Sequence, residues 1–146
     1  MHIEQIRPEL TWLLRREVLY PDQALAAMQM PVDADGVHFG AFKNDLLVGV
    51  VSLFQTGTIF QFRKFAVAEN QQNQGIGTGI LQYIINFCQQ QQGSSIWCNA
   101  RISAIQFYEK SGFTVAGQPF EQNDKTYVKM EKSIILKAGL TMQTSF

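Results

Sequence analysis

Residues 63–81 read RKFAVAENQQNQGIGTGIL, an apolar strand-like run that passes through a glycine-rich turn into an amphipathic helix. The first turn of a helix leaves several backbone N–H groups unpaired and carries a partial positive charge. Glycines allow the main chain to approach a ligand closely and to adopt a positive φ. We therefore predict that this turn binds an anion such as a pyrophosphate through backbone donors, without a lysine.

The length and charge of the chain limit the function classes. A chain of 146 residues is long enough for one domain over 1–146, with 132–146 as a C-terminal extension beyond the last expected strand. Lys plus Arg and Asp plus Glu number 12 each, so no net charge attracts nucleic acid or an anionic membrane. Without a membrane-length apolar run or a signal-peptide pattern, we expect a cytoplasmic protein.

The two cysteines, Cys88 and Cys98, form no CxxC or metal-ligand pattern, so we expect two buried, reduced thiols and no metal site. Cys98 has no basic neighbour in the sequence and falls in a predicted strand. It is therefore not predicted to act as a nucleophile.

The apolar periodicity predicts an α/β architecture, more specifically α+β. The expected helices are 9–20, 22–28, 74–91 and 103–110, and the expected strands are 1–6, 38–43, 46–55, 58–68, 96–99, 113–115 and 126–131. The early strands follow one another through short turns and are antiparallel. The later strand–helix–strand crossover requires a parallel pair.

Three known glycine-rich motifs bind a phosphate group at the start of a helix. A GxxxxGK[ST] phosphate loop is absent because no lysine follows the glycines. A dinucleotide fingerprint needs a third glycine where Ile80 stands and an acidic residue about twenty positions later, but no acid follows until Glu109. The remaining pattern, Q/R-x-x-G-x-G/A, is matched by QNQGIG at 72–77.

This string resembles the acyl-CoA pyrophosphate loop of the GNAT superfamily of N-acetyltransferases. A second segment, NARISAIQFYEKSGF at 99–113, is similar to the family's A-x-x-F/L-Y-E-K-x-G-F motif. The two motifs occur in the family's order, and the order of predicted elements agrees from Ile3 to Glu131. The opening helix, together with residues 33–38, resembles one small bacterial branch of that family.

The resemblance implies a GNAT-like domain with a mixed central sheet of about six to seven strands flanked by about four helices. Acetyl-CoA is the implied cofactor, with its pantetheine between two splayed parallel strands, where a backbone N–H near Val67 polarises the thioester carbonyl. Arg101 stands where relatives commonly have a small polar residue. The implied cofactor-binding residues are Phe65, Ala66, Val67, Gln72, Asn73, Gln74, Gly75, Ile76, Gly77, Thr78, Arg101 and Ala104.

The resemblance also implies direct acetyl transfer to a primary amine in a ternary complex, without a covalent acyl-enzyme. Tyr108 is the implied catalytic acid, because a phenol of pKa about 10 can protonate a leaving thiolate of pKa about 8.5. The alternative interpretation is that Tyr108 is an aromatic residue packed beside Phe107.

The base that deprotonates the amine is less well specified. Family members often carry an acid on the long central strand, but residues 61–65 read QFRKF and contain none. The candidates are Glu17, Asp33, Asp35 and His38, of which His38 fits best because imidazole titrates near neutrality. Each has a structural alternative as a strand residue, loop acid or helix-face residue. The candidate substrate residues are Arg16, Glu17, Asp35, His38 and Arg63, and a possible acceptor wall consists of Trp12, Tyr20 and Phe60.

The acceptor is expected to be a small-molecule or peptide amine, and the sequence does not identify it. Two other functions stay open, a non-catalytic acyl-CoA sensor or interaction module and an unrelated nucleotide-binding domain. The missing strand carboxylate favours the sensor, whereas Tyr108 argues against it. Residues 134–136 and Phe146 are apolar, so this segment either packs on a partner subunit or frays, and we expect a homodimer.

Overall fold

The computed structural model describes residues 1–136. The chain divides into two compact units, the first formed by Met1–Gln55 and Gln61–Ile84 and the second by Thr56–Phe60 and the chain from Ile85 onward.

The first unit contains four neighbouring strands, β1 (His2–Ile6), β2 (Val37–Lys43), β3 (Leu46–Thr56) and most of β4 (Ile59–Val67). β1 pairs with β2 and β2 with β3, both antiparallel. Asn44 and Asp45 link β2 to β3 with φ of 52° and 64°, the positive values that a tight two-residue hairpin turn requires. The four strands therefore form at the predicted positions, within two residues at each end.

The segment between β1 and β2 differs most from expectation. The helix predicted over 9–20 is a 3₁₀ turn at Pro8–Thr11, a short α1 (Trp12–Leu14) and a π-helical turn at Arg15–Leu19. The second predicted helix is only a 3₁₀ turn at Leu25–Met28, and the expected polar loop is another at Pro31–Asp35. Pro21 and Pro31 bound the second of these segments, which is too short for a regular α-helix, so a 3₁₀ turn forms there instead.

The long helix α2 (Ile76–Gln90) starts two residues later than predicted. In the first unit, its residues Ile80, Leu81 and Ile84 are almost fully buried. Gly49 of β3 leaves room for this helix, because a Cβ there would lie 2.6 Å from the Ile80 side chain. The apolar face of this predicted amphipathic helix is therefore its packing face.

The second unit contains β5 (Ser95–Arg101), α3 (Ile105–Glu109), β6 (Thr114–Val115), β7 (Phe120–Gln122) and β8 (Lys125–Ser133). β8 pairs antiparallel with β5, β6 and β7. The start of β4 belongs to this unit, where Ser94 N donates to Thr58 O at 2.7 Å. Sequence reasoning missed β7, because three residues are too few for an alternating pattern to be visible.

The C-terminal boundary of the last strand requires a correction. β8 runs to Ser133, so Lys132 and Ser133 belong to the sheet and not to an extension. Ile134 is 2% exposed, and its N–H donates to Ser94 O at 3.1 Å. Ile135 and Leu136 are exposed, and the predicted packing of Phe146 lies outside the described residues.

The fold class is α+β, as predicted. The structure has eight strands, one more than the upper expectation, and three α-helices within residues 1–136. No helix in this part of the chain is long and apolar enough to cross a membrane.

Candidate functional site

The chain folds back on itself directly after β4. Ala68 N donates to Val48 O of β3 at 2.8 Å, and a short 3₁₀ turn, Glu69–Gln71, follows. The side-chain amide of Gln72 then donates a hydrogen bond from Nε2 back to Val67 O at 2.9 Å. These bonds fix the end of β4 and the beginning of the glycine-rich turn relative to each other.

The glycine-rich turn has the backbone of an anion-binding loop. Asn73 and Gly75 have φ of 63° and 82°, and Gly79 N donates to Gly75 O at 3.0 Å as α2 begins. The backbone N–H groups of residues 76–78 lie before this first hydrogen bond of the helix. They have no acceptor among residues 1–136. Unpaired N–H groups at the start of a fifteen-residue helix attract anions through both hydrogen bonds and the helix dipole.

One cation beside this turn was missed by sequence reasoning. Lys43, at the end of β2, donates from Nζ to Gln74 Oε1 at 2.9 Å, and Gln74 Nε2 donates to Asn70 O at 3.5 Å. Lys43 lies 31 residues before Gln74 in the chain and belongs to no motif, so no sequence signal connects the two. The contact adds a positive charge to the loop.

The predicted pantetheine residues form the end of β4. Ala66 is 3% exposed and packs with Leu14 and Val50, whereas Phe65 and Val67 are partly exposed. The ring of Phe65 lies edge-to-face against Phe62, with centroids 6.0 Å apart. Phe65–Thr78 thus forms one continuous segment from strand to helix within the first unit.

Tyr108 lies in α3 of the second unit and is 9% exposed. Its ring contacts Phe107 and Phe113 edge-to-face, at centroid distances of 5.1 and 5.8 Å. Gly112, with φ of 91°, ends the helix and lets Phe113 N donate to Tyr108 O at 3.2 Å. Burial and then the neighbouring Cys98 raise the pKa of the Tyr108 phenol, so the side chain stays protonated at neutral pH.

The other predicted cofactor residues of this unit lie close to Tyr108 along the chain. Arg101 is the last residue of β5 and is exposed, and Ala104 is the N-cap of α3. Both cysteines are free and buried, and burial raises the pKa of each thiol to about 12. The expectation of two buried thiols is therefore confirmed, and a thiol of such high pKa is a poor nucleophile.

A buried polar network occupies the first unit. Arg15 is fully buried and donates from both terminal nitrogens to the Asp33 carboxylate at 2.9 and 3.0 Å. It also donates to Met28 O at 2.9 Å and to Ser52 Oγ at 2.8 Å. Burial by itself raises the pKa of Asp33, but the Arg15 hydrogen bonds and the Met30 N–H outweigh it, so this pKa lies below its ordinary value.

His38 completes this network. Its Nε2 lies 2.8 Å from Asp33 O, and a carbonyl only accepts, so Nε2 carries the proton. Its Nδ1 lies 2.7 Å from Ser52 Oγ. Ser52 Oγ also accepts from Arg15, so this hydroxyl joins the imidazole to the Arg15–Asp33 pair.

The network argues against two of the candidate bases. Both ring nitrogens of His38 have partners and the side chain is 2% exposed, so no lone pair faces an incoming amine. Asp33 is held ionised by Arg15, which weakens it as a proton acceptor. Both residues are held by hydrogen bonds inside the first unit. Glu17 and Asp35 are exposed and keep their carboxylates accessible.

The remaining predicted substrate residues vary in position. Arg16 and Arg63 are partly buried, and the Arg63 guanidinium lies 6.0 Å from the Phe54 ring centroid. Phe60 is 2% exposed and lies against Gly93, which makes it a core residue and not part of an acceptor wall. Within the described chain, no group of three or more His, Cys, Asp or Glu could hold a metal ion.

Comparison with known proteins identifies the family. A family model described as an acetyltransferase (GNAT) domain matches residues 12–134. The chain is 25% identical over 130 residues to the uncharacterised N-acetyltransferase YitI of Bacillus subtilis (strain 168), covering 83% of this chain and 87% of that protein. The chain belongs to the GNAT acetyltransferase family and is an N-acetyltransferase of that family, as its two motifs predicted.

Solved structures share the fold. An aminoglycoside 6'-N-acetyltransferase complexed with coenzyme A superimposes with a TM-score of 0.76 at 18% identity, covering 94% of this chain and 99% of that one. A GNAT family acetyltransferase from Elizabethkingia anophelis, with acetyl-CoA bound, gives a TM-score of 0.73 at 18% identity, covering 90% and 97%. At these identities, the likeness establishes the fold and leaves the acceptor open.

Proposed function

We propose that the protein transfers the acetyl group of acetyl-CoA to a primary amine of a small molecule or peptide, directly within a ternary complex. The observation that carries the proposal is the glycine-rich turn, whose three N–H groups at 76–78 have no acceptor in residues 1–136. Family membership supplies the reaction class, and acetyl-CoA carries the anion that such a turn binds.

Cofactor binding uses the continuous segment Phe65–Thr78. The pyrophosphate accepts hydrogen bonds from the N–H groups of the turn, with Lys43 adding positive charge through its contact with Gln74. Pantetheine is assigned to the end of β4, where Phe65 and Val67 are only partly buried, and it would lie there as an added strand does.

The chemical step forms one C–N bond and breaks one C–S bond. A neutral amine attacks the thioester carbon, the tetrahedral intermediate collapses, and the coenzyme A thiolate accepts a proton from Tyr108. The amine nitrogen gives up one proton to solvent as the amide forms, and the Tyr108 phenolate takes one proton back from solvent. Burial raises the pKa of Tyr108, which keeps the phenol protonated before each turnover but also makes it a weaker acid toward the thiolate.

Deprotonation of the incoming ammonium ion is assigned to water or to the exposed carboxylates of Glu17 and Asp35. His38 is not part of this proposal, because both of its ring nitrogens are engaged. The cytoplasmic location and the homodimer stay predictions.

The test is calorimetric titration of the purified protein with acetyl-CoA, and with ATP and NAD as controls, followed by a panel of amines with thiol release as the readout. Micromolar binding of acetyl-CoA alone, together with amine-dependent release of thiol, supports the proposal. Failure to bind acetyl-CoA contradicts the role of the turn.

A second candidate, a non-catalytic acyl-CoA sensor, is favoured by the absence of a carboxylate from residues 61–65 and by the engaged His38. For a sensor, acetyl-CoA binds but no amine releases thiol.

A further inference from the structure

β4 is irregular at Arg63 and Lys64. In a regular strand, residues three apart point to opposite faces of the sheet. Phe62 and Phe65 are three apart, yet their rings are in contact with centroids 6.0 Å apart, so they share a face. Lys64 has φ of 54°, which is the bulge that shifts the alternation.

This bulge places the side chains of Arg63 and Lys64 on the face of β4 opposite to Phe62 and Phe65. The Arg63 guanidinium lies 6.0 Å from the ring centroid of Phe54 on β3, and the Lys64 ammonium lies 4.5 Å from the ring centroid of Tyr20. Lys64 also donates from Nζ to the Tyr20 hydroxyl oxygen. All four side chains are partly buried, and all four belong to the first unit.

Neither cation has an anionic partner among residues 1–136. The ion pairs among residues 1–136 are His2–Glu4, Arg7–Glu9 and Arg15–Asp33. Arg63 and Lys64 therefore have no carboxylate within 4.0 Å in the described chain. Asp33 is already neutralised by Arg15, and Glu17 is exposed and unpaired there. Two partly buried, adjacent positive charges without a counter-charge favour an external anion.

The residue at the bulge supports a binding role. A positive φ is unstrained for glycine and tolerated by asparagine, but a long side chain is uncommon there. Lys64 therefore combines an uncommon backbone conformation with a charge that has no carboxylate partner in the described part of the chain. Such backbone strain clusters at ligand-binding positions.

We propose that Arg63, Lys64 and the rings of Tyr20 and Phe54 bind a carboxylate-bearing acceptor, with the two cations on its carboxylate and the rings beside its carbon skeleton. This inference rests on the proposed acetyl transfer and names its substrate class, an amino acid or other amino-carboxylate. The site directly precedes Phe65–Val67, the segment assigned to the thioester.

The kinetic test uses Arg63→Gln and Lys64→Asn, since asparagine keeps the backbone conformation while removing the charge. Arg7→Gln removes an exposed cation of the same unit and serves as the control. The acceptors are ω-amino acids of increasing length, each paired with its primary amide, which retains the amine and removes the negative charge.

The wild type is expected to prefer at least one acid over its amide by about 10-fold or more in kcat/KM, the scale of a charge-assisted hydrogen bond. Arg63→Gln and Lys64→Asn are each expected to abolish most of that preference by raising KM for the acid, without a change in acetyl-CoA affinity. Arg7→Gln is expected to keep the wild-type preference and the wild-type acetyl-CoA affinity. Equal kcat/KM for every acid and its amide overturns the proposal. A loss of acetyl-CoA affinity in the two variants also overturns it, because the cations then serve the cofactor.

A binding measurement separates this inference from the proposed function. Phenylacetate and phenylacetamide are titrated calorimetrically into the complex of the protein with coenzyme A. Selective binding of phenylacetate that is lost in Arg63→Gln supports the carboxylate site even if no amine is acetylated. Equal binding of the two ligands, or undiminished phenylacetate binding in the variant, contradicts it.

Discussion

Gly75→Ala is the change that most directly tests the backbone of the glycine-rich turn. Gly75 has φ of 82°, and a Cβ built there meets no atom within 4 Å. The penalty of an alanine is therefore conformational and not steric crowding, and it amounts to about 1–2 kcal/mol for an L-residue in this region. Gly75→Asn is the matched control, because asparagine tolerates positive φ, as Asn73 does at 63° in the same turn.

The conformational penalty of alanine at position 75 lowers either the free energy of unfolding or the affinity for acetyl-CoA. If the turn keeps its conformation, the free energy of unfolding falls by about 1–2 kcal/mol and acetyl-CoA affinity is retained. If the turn relaxes, stability is retained and acetyl-CoA affinity falls by roughly 5- to 30-fold, the same free energy expressed in binding.

Urea denaturation and calorimetric titration, performed on the same three proteins, measure both quantities. For each variant, the loss in free energy of unfolding is added to the loss in free energy of acetyl-CoA binding. This sum is expected to be smaller for Gly75→Asn than for Gly75→Ala. If alanine changes neither quantity, or if asparagine costs as much as alanine, the assigned conformation of the turn is wrong.

The other predictions concern buried groups. Asp33→Asn leaves the Arg15 charge buried without a counter-ion and is expected to lower the free energy of unfolding by about 3–5 kcal/mol, measured by urea denaturation. Because the folded-state pKa of Asp33 lies below its unfolded value of about 3.9, its contribution is present above that value. It is lost as pH falls through the folded-state pKa, so acid destabilisation is expected to be smaller in Asp33→Asn. Since burial raises the pKa of Cys88 and Cys98 to about 12, both thiols should resist iodoacetamide at pH 8 in the folded protein and react in urea, as mass spectrometry would measure.

The features that the sequence predicted are local ones. Residues 72–77 and 99–113 are short continuous segments that resemble two motifs of the family, so they could be recognised without knowledge of the fold. The antiparallel strands were likewise visible as apolar runs separated by turn residues. Tertiary packing altered their ends by only a few residues.

The features that the sequence did not predict depend on distant pairs. Arg15 meets Ser52 across 37 positions, and Lys64 meets Tyr20 across 44. No periodicity signals such pairs, so Asp33 was considered as a candidate base and not as the partner of a buried Arg15. His38 was favoured as a base because imidazole titrates near neutrality, whereas its two hydrogen-bond partners are known only from the fold.

The measurement that tests the central claim most directly is Tyr108→Phe, assayed for both acetyl-CoA affinity and amine-dependent thiol release. Phenylalanine keeps the ring that packs against Phe107 and Phe113, so folding and cofactor binding should be unchanged. The account predicts that turnover falls by about 10²- to 10⁴-fold, the usual contribution of a general acid. Wild-type turnover in Tyr108→Phe would contradict the assignment of Tyr108 as the acid that protonates the leaving thiolate.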